Sequence, residues 1–173
     1  SVHPNQISIA SCGFAALAAV FLLLFPYVSG LSLWAAACLS AACMAGRGLC
    51  NLFDGLVAIE AGKGTKSGEL FNDIPDRISD SLILIAAGYA IPLADWAPIA
   101  GWLAALLAVM TAYVRTLARS VGAPADFQGP MGKTMRIYIL IAACLLTPLE
   151  TLFWQQGYVL LIALIVISVG CVL

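Results

Sequence analysis

Long stretches without charged residues constrain this chain more than any other feature. Between Pro4 and Arg47 there is no Asp, Glu, Lys or Arg, and the stretches 81–94, 96–114 and 151–173 lack them as well. About 20 apolar residues in a helix cover the hydrocarbon core of a bilayer, and a helix pairs its backbone polar groups internally. We therefore predict an all-α integral membrane protein.

The breaks between apolar stretches predict six transmembrane helices in one bundle. We place them at about 7–27, 31–61, 68–91, 98–120, 131–147 and 157–173, with Gly- and Pro-containing connections between them. Because most connections are short, neighbouring helices are expected to be antiparallel, and residues 1–173 to form a single domain.

The positions of the basic residues predict the orientation in the membrane. With six alternating spans, the 61–67 and 121–131 loops lie on one side, and all basic residues lie in these loops or in the helix ends facing them. The three opposite turns contain none, and Trp34, Trp96 and Trp154 lie near them. The positive-inside rule places the charged side in the cytoplasm. We also expect the membrane to be the inner membrane of a bacterium.

Acidic residues are concentrated in one part of this apolar chain. Five of the nine lie between Asp54 and Asp76, and a sixth is Asp80. Asn51 and Asp54 are three residues apart on the second predicted helix, and Asp76 and Asp80 are four apart on the third, so each pair shares a face. Asp80 lies about three turns into an apolar helix, where a carboxylate is costly unless it faces the bundle interior or a water-filled cavity.

These oxygen-bearing faces can converge at the cytoplasmic end of the bundle. Carboxylates held close together repel one another unless a cation lies between them, and Mg²⁺ and Mn²⁺ prefer oxygen ligands. Gly55 and Ala58 keep side-chain bulk low beside Asp54, so a nucleotide or phosphate can approach the backbone. The alternative is that the acids only pair with Lys63, Lys66 and Arg77.

Two pairs of cations accompany the acidic cluster. Arg115 and Arg119 share a face near the end of the fourth predicted helix, and Lys133 and Arg136 share one at the start of the fifth. Such pairs favour binding of a phosphate group. They indicate an acceptor molecule that carries its own phosphate, and the alternative is that they extend to the membrane interface as snorkelling side chains.

The acidic segment resembles the signature of the CDP-alcohol phosphotransferases, D-x-x-D-G-x-x-A-R followed by G-x-x-x-D-x-x-x-D. Asp54, Gly55 and Ala58 match the first half, and Asp76 and Asp80 match the closing pair. HPNQIS at 3–8 is similar to the P-N-x-x-[ST] segment of that family. The sequence departs from the pattern at three positions, which are Asn51 for the first Asp, Ile59 for Arg and Asn72 for Gly. A second register, Gly68-x-x-x-Asn72-x-x-x-Asp76, also fits the spacing but leaves Asp80 unexplained.

The resemblance implies a six-helix membrane enzyme with a cytoplasm-facing polar cavity. It would transfer a phosphatidyl group from CDP-diacylglycerol or another CDP-alcohol to a small or lipid acceptor alcohol, and release CMP. It implies that Asn51, Asp54, Asp76 and Asp80 hold Mg²⁺ or Mn²⁺, that Asp80 is the general base, and that Asn5, Ser8, Gly55 and Ala58 contribute to the CMP pocket. It also implies a homodimer.

Two other classes of function remain open from the sequence. Buried carboxylates could bind a translocated cation in a membrane carrier, although such proteins typically contain inverted repeats. The neutral Asn51 could also mark a degenerate family member that binds a nucleotide lipid without turnover. A nucleic-acid partner is not expected.

Overall fold

The protein is a bundle of helices in the ranges that the computed structural model describes. These are residues 4–60, 66–122 and 131–173, with side chains described except at 4–6, 54–60 and 66–72. Six α-helices lie in these ranges: α1 Pro4–Leu23, α2 Leu31–Glu60, α3 Lys66–Tyr89, α4 Ala97–Ser120, α5 Lys133–Glu150 and α6 Tyr158–Val172. Six helices are therefore present within the described chain, and crossing of the membrane by all six stays a prediction.

Three segments of the described chain are long and apolar enough to cross a membrane by length and composition. They are Ile7–Tyr27, Leu31–Phe53 and Ala97–Ser120, and α6 is a shorter apolar helix. Their outward faces carry many exposed apolar side chains, such as Ile99, Leu106 and Ile162. This composition is that of an integral membrane protein.

The fifth helix differs from its predicted bounds. It begins two residues after Met131 and continues through Pro148 to Glu150, although the sequence places its end at Thr147. Pro148 lies in the last turn of α5, where it has no N–H to donate to the carbonyl of Cys144, and the helix nevertheless continues for two more residues.

The helices pack as a closed ring in the order α1, α2, α5, α6, α4, α3, and α3 returns to contact α1. Small side chains line the contacts, including Ala18, Ala37, Ala87 and Ala104, all fully buried. Small residues let helix backbones approach closely in a membrane. The approach is closest at α3 and α4, where a Cβ on Gly88 would lie 2.9 Å from the Cα of Gly101.

Polar contacts join neighbouring helices around the ring. The Ser40 hydroxyl of α2 donates to the Ala18 carbonyl of α1 at 3.0 Å, and the Thr111 hydroxyl of α4 donates to the Cys171 carbonyl of α6 at 3.3 Å. At the turn between α5 and α6, the buried Glu150 carboxylate accepts the backbone N–H of Tyr158 at 2.6 Å. Helix α3 packs between α1 and α4, and one of its faces is directed into the ring.

Candidate active site

Asp76 and Asp80 lie one turn apart on the face of α3 that is directed into the ring. Both residues are only 7% exposed. Ser79, beside Asp80, is buried against α1 and donates to the Cys12 sulfur at 3.5 Å. The small serine allows α1 and α3 to pack closely there, which directs Asp80 inwards.

Arg47 of α2 binds both carboxylates from across the ring. Its Nη2 lies 2.7 Å from Asp80 Oδ1 and 3.5 Å from Asp76 Oδ1, and it also donates to the Asp76 carbonyl at 3.4 Å. The Arg47 side chain has no exposed surface. Arg47 is not among the site residues predicted from the sequence. The available signal was its spacing, because Arg47, Asn51 and Asp54 are four and three residues apart and form one stripe on α2.

Arg136 of α5 holds Asp80 from the other side. Its Nη2 donates to Asp80 Oδ2 at 3.0 Å, and its Nη1 donates to the Met131 carbonyl at 3.2 Å. Asp80 is therefore fixed between two buried guanidinium groups. Charge-assisted hydrogen bonds of this kind contribute roughly 1.5–3 kcal/mol each.

Asn51 and Lys133 complete the cluster around Asp76. Lys133 forms an ion pair with Asp76 Oδ2. When the Asn51 amide is oriented to satisfy both neighbours, its nitrogen donates to Asp76 Oδ1 at 2.9 Å and its oxygen accepts from Lys133 Nζ at 3.0 Å. Asn51 thus links α3 and α5, because its nitrogen donates to Asp76 and its oxygen accepts from Lys133.

The described part of this cluster has an excess of positive charge. The cations Arg47, Lys133 and Arg136 face the two carboxylates Asp76 and Asp80. Among the described residues, the Nε and Nη1 groups of Arg47 and the Nε of Arg136 have no hydrogen-bond partner, although they are buried. Buried donors without partners cost free energy, so this part of the cluster is not fully satisfied by protein groups.

A polar cavity of about 170 Å³ lies beside the carboxylates. Its lining combines side chains from α3, α4 and α5: Asp73, Asp76, Arg77, Thr111, Ala112, Arg115, Lys133 and Arg136. The predicted cations Arg115, Lys133 and Arg136 thus meet at one cavity. Arg119, one turn further along α4, is exposed and is not among the described residues that line it.

A larger, mostly apolar groove of about 600 Å³ runs between α2 and α5. Asn51 and Lys133 lie in its lining and join it to the polar cluster, and Leu49, Leu52 and Tyr138 line its outer part. These three side chains are more than half exposed. The groove therefore extends from the outer, apolar surface of the bundle to the charged site.

Several predicted site residues fall outside the described side chains. They are Asn5, Asp54, Gly55 and Ala58, and Asn72 of the alternative register is also among them. Ser8 is described and is buried on α1. In the described range Asn51 of α2 lies close to Asp76 of α3. The predicted convergence as a whole, which includes Asp54, stays a prediction.

Whether these residues fit a divalent cation depends on Asp54. No group of three or more His, Cys, Asp or Glu side chains in the described parts of the chain could hold a metal ion. Amide and carboxylate oxygens have the right chemistry for Mg²⁺ or Mn²⁺. Those of Asn51, Asp76 and Asp80 already face cationic side chains. The oxygens of Asn51, Asp76 and Asp80 therefore fit such an ion in kind, and a role for Asp54 stays a prediction.

Two solved structures share the fold of this chain. Both are of the phosphatidylinositol phosphate synthase PgsA1 of Mycobacterium tuberculosis. The one with CDP-DAG bound has a TM-score of 0.71 and 22% sequence identity, with 99% of this chain and 82% of that chain covered. The apo form has a TM-score of 0.70 and 23% identity, with 99% and 84% covered.

Among proteins with curated functions, none matches the sequence. The family described as CDP-alcohol phosphatidyltransferase matches residues 1–170, which is nearly the whole chain. Members of this family are transferases of substituted phosphate groups. The chain accordingly belongs to the CDP-alcohol phosphatidyltransferase family.

Proposed function

We propose that this protein transfers a phosphatidyl group from a CDP-alcohol, such as CDP-diacylglycerol, to the hydroxyl of a phosphate-bearing acceptor. The observation that carries the proposal is the pair of buried carboxylates Asp76 and Asp80 beside a polar cavity lined by cations. Membership of the family supports the donor class, and the similar PgsA1 structure contains CDP-DAG.

Asp80 is the proposed general base. The acceptor oxygen attacks the phosphorus of the phosphatidyl group, the bond from that phosphorus to the CMP oxygen breaks, and the hydroxyl proton passes to Asp80. Arg47 and Arg136 each use one carboxylate oxygen of Asp80. Each oxygen has two lone pairs, so one remains on each for the acceptor hydroxyl. The arginines therefore orient the base without blocking it.

The polar cavity is the proposed site of the acceptor phosphate. Arg115 and Arg136 reach it from α4 and α5, and Lys133 lies on its wall. A volume of about 170 Å³ suits a small head group, because a water molecule takes about 30 Å³ of the liquid. Arg119 is proposed to assist from the rim, where it would attract anions electrostatically.

The donor is proposed to bind at the end of the bundle where α1, α2 and α3 meet. Asn5, Ser8, Gly55 and Ala58 would contact CMP, and the apolar groove between α2 and α5 would take a lipid chain. Asp54, Asp76 and Asp80, with Asn51, would hold Mg²⁺ or Mn²⁺. Such an ion supplies charge neutralisation at the diphosphate.

The proposal also includes the orientation of the protein in the membrane and its oligomeric state. The excess of basic residues at one end supports an orientation with the site facing the cytoplasm, across the inner membrane of a bacterium. The exposed apolar helix faces are compatible with a homodimer. Membership of a transferase family favours this enzymatic interpretation over the carrier alternative.

The proposal is tested by CMP release from CDP-diacylglycerol in detergent, with Mg²⁺ or Mn²⁺. The acceptor panel would include glycerol phosphate, inositol phosphate, serine and phosphatidylglycerol. We expect release with a phosphate-bearing acceptor and a loss of about 10²–10⁴-fold in kcat for Asp80→Asn, the usual contribution of a general base. Asp95→Asn is the matched control, because Asp95 is an exposed residue of a turn outside the site.

Two results would count against the proposal. No release with any acceptor, with CDP-diacylglycerol still bound, would indicate a binding protein without turnover, and recovery of release in Asn51→Asp would then identify Asn51 as the cause. Equal losses in Asp80→Asn and Asp95→Asn would remove the assignment of the base.

A further inference from the structure

We propose that the ammonium group of Lys133 is a built-in cation that takes the place of one divalent ion between Asn51 and Asp76. The inference rests on the proposed function, because it concerns the ions that the same site would use. It changes the expectation from the sequence, in which Lys133 binds only an acceptor phosphate.

Three side chains form a closed arrangement at this position. With the Asn51 amide in the orientation that satisfies both neighbours, its oxygen accepts from Lys133 Nζ at 3.0 Å and its nitrogen donates to Asp76 Oδ1 at 2.9 Å. Lys133 also pairs with Asp76 Oδ2. Lys133 therefore contacts two of the four side chains that the sequence pattern assigns to a metal ion. Its ammonium lies between an oxygen of α2 and an oxygen of α3.

The charges of the three groups support a monovalent cation here. The family pattern has Asp where this chain has Asn51, so one negative charge is missing from the position. Affinity for hard divalent ions depends on the number of charged ligands. Asp76 is the one carboxylate of this arrangement, and Arg47 Nη2 also faces it at 3.5 Å, so its charge is balanced without a divalent ion.

Burial of Lys133 favours its pairing with Asn51 and Asp76. The Lys133 side chain is 24% exposed, and the Asp76 side chain is 10% exposed. A charged group removed from water in this way is costly unless it is paired and hydrogen-bonded. An ammonium has three N–H donors, so the two oxygens of Asn51 and Asp76 leave a third donor for a substrate oxygen.

The arrangement predicts that the number of divalent ions bound per chain differs between the wild type and a suitable double variant. If Lys133 occupies the position, restoring the carboxylate and removing the ammonium should open it to a divalent ion. Asn51→Asp combined with Lys133→Met makes this change. Asn51→Asp combined with Lys133→Arg is the matched control, because it restores the carboxylate and retains a cation.

The experiment counts Mn²⁺ bound per purified full chain in detergent, from the electron paramagnetic resonance signal of free Mn²⁺. We expect the double variant Asn51→Asp/Lys133→Met to bind one more ion per chain than the wild type, and the Asn51→Asp/Lys133→Arg control to bind the same number as the wild type. No gain in the Lys133→Met variant, or an equal gain in the control, would overturn the inference.

Two further measurements keep the result interpretable. Size-exclusion profiles and thermal unfolding establish that each variant is folded, and Asn51→Asp/Lys133→Gln replaces the methionine variant if the latter aggregates. CMP release is measured on the same samples. A wild type that releases no CMP would count against the proposed function, while the ion count would still decide the role of Lys133.

Discussion

At the scale of single residues, Arg47 contacts three oxygens of α3 while none of its own side chain is exposed. Removing one member of a buried ion pair leaves an uncompensated charge, at a cost of about 3–5 kcal/mol. We expect Arg47→Met to lower the free energy of unfolding by about this amount, measured in detergent micelles.

Arg77→Met is the matched control for Arg47→Met. Arg77 pairs with the exposed Asp73 at 3.4 Å, one turn away on α3. An exposed pair of this kind contributes at most about 1 kcal/mol. Similar losses in the two variants would show that Arg47 is not the buried counter-charge of Asp76 and Asp80.

The residues of the site could be predicted from the sequence only in part. The cost of a carboxylate deep in an apolar helix indicates Asp80, and the spacing of four residues adds Asp76. The structure places both inside the ring. Arg47 was missed because its pairing with α3 depends on how the helices are arranged around the ring, and spacing along α2 does not reveal this. The contact of Lys133 with Asn51 has the same origin, since it joins two helices distant in sequence.

At the scale of helices, Glu150 determines how α6 begins. Its carboxylate accepts the backbone N–H groups of Gly157 at 3.2 Å, Tyr158 at 2.6 Å and Val159 at 3.4 Å. The first N–H groups of a helix have no partner within it, and a negative charge there is favourable. We expect Glu150→Ala to destabilise the protein by about 1–3 kcal/mol, because buried N–H groups lose their acceptor.

Thermal unfolding in detergent measures the effect of Glu150→Ala. Gln155→Ala is the control, because Gln155 is an exposed residue of the same turn, and it should change stability by less than about 0.5 kcal/mol. An unchanged unfolding temperature in Glu150→Ala would contradict the role of Glu150 as the cap of α6.

The crossing of α3 and α4 leads to a second prediction at this scale. A Cβ on Gly88 would lie 2.9 Å from both the Ala97 carbonyl oxygen and the Gly101 Cα. Backbone atoms cannot move away as a flexible side chain can, so we expect Gly88→Ala to cost about 1–3 kcal/mol of stability. Unfolding in detergent is the measurement for this variant as well.

Gly13→Ala serves as the control for the crossing. A Cβ on Gly13 would meet nothing within 4 Å in the described chain. In a helix interior alanine is favoured over glycine by up to about 1 kcal/mol, so this variant should be as stable as the wild type or more stable. A Gly88→Ala protein of wild-type stability would mean that α3 and α4 are further apart than the structure has them.

Helices were easier to predict than their ends. Uncharged stretches and Gly- or Pro-containing breaks predicted α2 and α4 to within a residue or so of the observed bounds. The ends of α5 were displaced, because Pro148 is tolerated in a last turn that Glu150 extends towards α6. Such a tolerance depends on the tertiary contacts of the helix end.

At the scale of the whole molecule, the distribution of charge predicts one orientation. In a cysteine-free background, Val121→Cys should react with a membrane-impermeant maleimide only from the cytoplasmic side, and Tyr27→Cys only from the opposite side. Both residues are exposed, at 75% and 84%, and they lie at opposite ends of the bundle. Labelling of both from one side would contradict the six-span arrangement, and the reversed pattern would contradict the orientation.

The groove between α2 and α5 has a consequence for the concentration unit in which the rate of this transferase is expressed. Its outer wall is formed by Leu49, Leu52 and Tyr138, so a lipid donor could enter sideways from the leaflet without passing through water. Turnover would then depend on the surface fraction of donor lipid in the micelle or bilayer. Adding inert detergent while the bulk concentration of CDP-diacylglycerol is held constant lowers the surface fraction of this lipid, and this should slow the reaction.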